Sequence, residues 1–112
     1  MNCFCVEKET FALKIEGDIG ADPIWCNLCG CNLDLEDVPI SIQLKSELID
    51  WVNNYGEWID WNKDSLAPNG IEMEEIHNKQ GEKLTEKVVK ELRGKYSIKF
   101  SPSTMARRYT NN

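Results

Sequence analysis

The chain has 112 residues and a formal net charge of −6, with 19 acidic against 13 basic side chains. That length suits one small domain. No apolar run approaches the roughly 20 residues that cross a bilayer, and an acidic balance argues against general affinity for the nucleic-acid backbone. The charge is unevenly spread: residues 1–40 carry two basic and eight acidic groups, whereas residues 71–112 carry nine and six.

The first feature along the chain is Cys3-Phe4-Cys5, and it has a counterpart in Cys26-Asn27-Leu28-Cys29-Gly30-Cys31. Two thiolates on a tight turn can grip one tetrahedral ion, and four complete a closed structural zinc site. Five cysteines cannot all pair as disulfides within one chain, and no signal-like stretch precedes Cys3, so a reducing cytoplasmic setting is expected. The expected ligands of a Zn2+ ion are Cys3, Cys5, Cys26 and Cys29, with Cys31 as the alternative to Cys3 or Cys5. Glycine at position 30 suits the positive φ such a turn demands.

Between these cysteines, Phe11, Leu13 and Ile15 alternate with smaller or charged residues, the period of a half-buried strand. Turn chemistry follows at Gly17-Asp18 and Gly20-Ala21-Asp22-Pro23, and Ile24-Trp25 runs as a short strand into the second cysteine group. The expected result is a β-hairpin clasped at its far end by metal. Asp34, Glu36 and Asp37 then form a solvated loop.

Cys26-Asn27-Leu28-Cys29-Gly30, with Leu33 three residues on, resembles the knuckle of zinc-ribbon and rubredoxin-like sites. The resemblance covers residues 1–35, and Cys3-Phe4-Cys5 departs from the usual second Cys-x-x-Cys-Gly. It implies a structural zinc.

From Ser41 the period becomes helical. Projected at 100° per residue, Leu44, Leu48, Trp51, Val52, Tyr55, Trp58 and Ile59 share an arc of about 120°, the width of a face packed on a core. This predicts a helix over 42–61. Trp61 falls about 60° beyond the arc, so either the helix stops before it or an indole is left at the surface, where aromatic residues are enriched at binding hot spots; the commoner arrangement folds such an indole back over the following loop, residues 62–70. After the breaker sequence Pro68-Asn69-Gly70, a second helix is predicted over 71–93, with Met73, Ile76, His77, Gln80, Leu84 and Val88 on one face and Gly94 as its cap. His77, the sole histidine, is expected to be half-buried and hydrogen-bonded. Tyr96, Ile98 and Phe100 alternate as a strand that pairs with Phe11–Ile15.

These elements predict an α+β domain over 1–102: a metal-clasped hairpin, two helices over 41–102, and a C-terminal strand completing a small antiparallel sheet. Residues 103–112 read as a flexible basic tail. The closed thiolate set leaves no open coordination position, so no catalytic residues are expected. The function expected is that of a zinc-stapled protein-interaction or regulatory module that meets a protein partner through Trp58, Asp60 and Trp61. The second reading is a nucleic-acid-binding ribbon that uses Lys95, Lys99, Arg107, Arg108 and Tyr109.

Overall fold

The computed structural model describes residues 9–110. A three-stranded sheet is built from β1 (Ala12–Ile15), β2 (Ile24–Cys26) and β5 (Ser97–Phe100), in the order β2-β1-β5. β1 and β2 pair antiparallel, with Leu13 opposite Cys26 and Ile15 opposite Ile24. β5, in contrast, runs parallel to β1, with Leu13 opposite Ile98 and Ile15 opposite Phe100. The sheet is therefore mixed, which corrects the purely antiparallel one expected. Parallel neighbours need a long crossover, and here both major helices lie between the two strands in the chain.

Those helices are α1 (Ile42–Asn53) and α2 (Gly70–Leu92). Ser41 caps α1 by accepting a hydrogen bond from Leu44 N at 3.1 Å. Glu91 near the end of α2 accepts from both Ser41 N and Ser41 Oγ, at 2.6 and 2.8 Å, and so fixes the two helix ends together. Caps of this kind stabilise a helix by about 1 kcal/mol. Leu44, Leu48, Trp51 and Val52 are the buried residues of α1, the first half of the predicted arc.

The helix stops at Asn53, eight residues earlier than predicted. Successive i to i+3 bonds then tighten the chain, from Tyr55 N to Val52 O, Glu57 N to Asn54 O and Ile59 N to Gly56 O. A short hairpin follows, β3 (Ile59–Asp60) against β4 (Ser65–Leu66). Tyr55, Trp58 and Ile59 still reach the interior, but by this turn and not along a helix face.

The buried stripe of α2 is His77, Gly81, Leu84, Thr85, Val88 and Leu92. The predicted Ile76 and Gln80 face outward. The stripe is centred on Gly81, where an added Cβ would lie 2.3 Å from Phe100 and 2.8 Å from Trp51. Hydrophobicity gives glycine no weight, yet its missing side chain is what lets β5 and α1 close on α2. Arg93, with φ of 50°, provides the left-handed cap and donates to Val89 O; Gly94 follows it with φ of 76°.

Leu13, Ile15, Ile24 and Cys26 of the sheet pack with Leu48 and Trp51 of α1 and Val88 of α2 in one core. A second cluster joins Trp58, Ile59 and Ala106, flanked by Leu66, Met73 and Tyr109. Ala106 belongs to α3 (Met105–Thr110). Glu74 accepts from Ser103 Oγ at 2.8 Å and Ala106 N at 2.9 Å, and Asn78 exchanges two bonds with the Ser103 backbone. The stretch expected to be a flexible tail is thus a helix docked on α2 through residue 110.

Candidate functional site

The first candidate is the cysteine turn. Gly30 takes φ of +80°, Gly30 N donates to Cys26 O and Cys26 N to Cys31 O, both at 2.9 Å. Trp25 then bridges to Asn32. These bonds make residues 27–30 the loop of a tight hairpin extending β2. Cys26 is wholly buried among the core residues, and its Sγ donates to Thr10 Oγ1 at 3.3 Å while accepting from Leu28 N at 3.4 Å. Cys29 is exposed and Cys31 half-buried against the core. Cys3 and Cys5, the other expected ligands, lie outside the described residues. Among the described residues no three His, Cys, Asp or Glu side chains converge into a metal-binding group. The tight turn that suggested a knuckle is here explained by hairpin closure.

The second candidate is the aromatic end of the molecule. Trp58 is 1% exposed, with ring centroids 5.4 Å from Tyr55 and 4.9 Å from His77. It is a core residue and presents no face to a partner. His77 is itself buried, stacked on Trp51 at 4.5 Å with the planes 12° apart, while Trp51 Nε1 donates to His77 O at 2.9 Å. Burial pulls the imidazole down from 6.5 to about 4, because the charged form would lose its water. Both Trp58 Nε1 and His77 Nδ1 are buried without a hydrogen-bond partner among the described residues. Ring packing holds His77 in place, not the hydrogen bond expected for it.

Trp61 is different. It opens the four-residue turn between β3 and β4 and is 55% exposed. Its Nε1 donates to Gly56 O at 3.1 Å, which lays the indole over Gly56. A Cβ at Gly56 would lie 3.3 Å from the indole and 3.7 Å from Ile19 Cδ1, and Gly56 has φ of +88°. Glycine is required there for both reasons. Ile19, 61% exposed at the tip of the β1–β2 hairpin, thus lies beside the same glycine as Trp61, although the two come from separate loops. The early end of α1 is what brings them together.

Both loops that carry this pair also carry carboxylates. Asp18 Oδ1 accepts from Ile19 N at 2.8 Å. Asp60 Oδ1 accepts from Asn62 N and Lys63 N, both at 3.1 Å, and so fixes the turn that carries Trp61. Glu57 adjoins Gly56, and Asp64 closes the turn while accepting from Tyr109 Oη at 3.1 Å. Among the described residues none of these four acids forms an ion pair, in contrast to Glu47, which pairs with Lys87 at 3.2 Å. Of these four, Asp18 also acts inward: Tyr55 is raised above its usual value of 10.0, first by burial and then by the charge of Asp18, against a lowering hydrogen bond with Ser103 and with smaller contributions from Glu16 and Glu74.

The residues of the basic strip lie on separate elements. Lys95 lies over Phe11 and Tyr96, 5.7 and 6.0 Å from their ring centres, Lys99 is on β5, and Arg107 and Arg108 are in α3. The search among curated proteins finds no match. A family described as Serratia CdiI immunity protein-like matches residues 11–103, from the start of β1 to the Ser103 link that precedes α3. This finding overturns the zinc-ribbon resemblance, the zinc-stapled regulatory module drawn from it, and the nucleic-acid-binding alternative. The match spans most of the chain, and the protein belongs to the Serratia CdiI immunity protein-like family.

Proposed function

We propose that this chain is an immunity protein that binds a protein toxin and blocks its action. The family match over residues 11–103 carries the reading, since an immunity protein works by holding a toxin. The architecture is consistent with binding in place of chemistry. Two loops are pinned by glycine geometry and side-chain caps, and they present an exposed indole together with acids that form no ion pair among the described residues. Such preorganised surfaces lose little conformational freedom on association. The protein expected as partner is thus a toxin, and the turn around Asp60 and Trp61 is the part of the expected contact set that faces solvent.

Growth measures this directly. Cells expressing the growth-inhibiting toxin of the chain's own source strain should recover when the chain is coexpressed, and the two proteins should comigrate on size exclusion. A chain that accumulates in the cell, gives no protection and forms no complex with that toxin would overturn the assignment.

A further inference from the structure

Building on the immunity reading, we infer that the toxin docks on the face formed by Ile19 and Trp61, and that it presents there an apolar slot ringed by lysine and arginine side chains.

Three observations converge on this face. The first is the anchor. Tryptophan is among the residues most often found to dominate binding energy, where it fills a desolvated pocket at the centre of an interface. Trp61 exposes more than half its surface while its Nε1 is already bonded to Gly56 O. Burying the ring against a partner therefore strands no donor. The second is contiguity. Ile19 and Trp61 come from loops 42 residues apart in the chain, yet both lie within 4 Å of the Gly56 Cβ position. The two exposed apolar side chains thus flank one glycine.

The third observation is charge, and it selects the occupant. Asp18, Glu57, Asp60 and Asp64 carry four negative charges against the single Lys63 in the same loops. None of the four is ion-paired among the described residues, so a cationic partner meets carboxylates that no described side chain neutralises. A lysine- and arginine-bearing surface gains both contact energy and a faster encounter from such a field. A second copy packed face to face would present the same acids and be repelled.

Another exposed apolar site, on α1, is a poorer match. Ile42 and Ile49 lie one heptad apart on α1, 86% and 36% exposed, beside a groove lined by Asp22, Asp34 and Glu36. Lys45 stands inside that groove, with Nζ bonded to Glu36 O. It offers no aromatic anchor, and its acids share their space with a cation.

The test uses the full chain and, as probe, the toxin whose growth inhibition wild-type chain relieves, purified in an inactivated form. Trp61→Ala should weaken binding by about 30-fold or more. Asp18→Asn with Glu57→Gln should slow association and flatten its dependence on salt while leaving the melting temperature unchanged. Ile42→Ser should bind as wild type. The proposal is overturned if Trp61→Ala and the double charge variant both bind as wild type, or if Ile42→Ser is the variant that loses affinity. Wild-type self-association that Trp61→Ala abolishes would place a second copy on the face and also overturn it. Absence of any wild-type complex would remove the immunity reading itself and this inference with it, a result separable from the others because it precedes every mutation.

Discussion

Lowering the pH from 7.5 to 5 should destabilise this protein through one side chain. His77 is the sole histidine, is 5% exposed, and lies against the rings of Trp51, Trp58 and Tyr55. Its folded value is about 4, against 6.5 for an exposed imidazole, and burial is the cause. The folded state therefore keeps His77 neutral while the unfolded chain takes up a proton as pH falls below 6.5. Stability is fully present above 6.5, declines through the window from 6.5 to 4, and stops declining below it. At pH 5 the loss comes to about 2 kcal/mol, from 1.36 kcal/mol per pH unit over most of the window. That is a substantial share of the roughly 5–15 kcal/mol that holds a domain folded. Urea unfolding at pH 7.5, 6 and 5 measures it, with His77→Phe as reference because phenylalanine keeps a ring in the stack and cannot titrate. Carboxylates contribute equally to both chains, so the wild type should lose about 2 kcal/mol more than the variant. With only one histidine present, its ring resonance in NMR gives the folded titration without assignment. A midpoint near 6.5 in the folded protein, together with parallel pH dependences for the two chains, would refute the argument from burial.

Two further stability predictions follow from the packing around that ring. Gly81→Ala should destabilise by about 1 kcal/mol in thermal or urea unfolding, because relieving the clash with Phe100 and Trp51 costs more than the helix gains from alanine; a stabilised variant would show that those rings move aside freely. Trp51→Phe should cost more than Trp58→Phe. The first loses the bond from Nε1 to His77 O, whereas the second removes a buried N–H that has no partner among the described residues. Equal losses would mean that Trp58 Nε1 is satisfied in solution.

Much of the fold could be read from periodicity because periodicity reports which face of an element is dry. Leu13 and Ile15 of β1, Leu44 to Val52 of α1, and Leu84 and Val88 of α2 are all buried where the alternation or the helical arc put them. The misreadings lie where a residue acts through its shape or its backbone. The long arc from Leu44 to Ile59 suggests an unbroken helix, but Gly56 at positive φ turns the chain and delivers Tyr55 and Trp58 to the core by another route. Tryptophan looks alike in sequence whether it is Trp58 or Trp61; the turn buries one and exposes the other. The cysteine spacing demands a tight turn, and a tight turn is present. Cys-x-x-Cys-Gly is equally compatible with a hairpin loop that buries its first thiol.

By itself the sequence determined the class and the dry faces, since burying apolar side chains at strand and helix periods is a local constraint on every stretch of chain. It also set the acidic balance, which needs no fold to be counted. Only the tertiary structure decided that β5 runs parallel to β1, that α1 ends at Asn53, and that Ile19 meets Trp61 over Gly56. Each of these depends on two distant segments approaching closely, at positions where the absence of a side chain matters more than the presence of one.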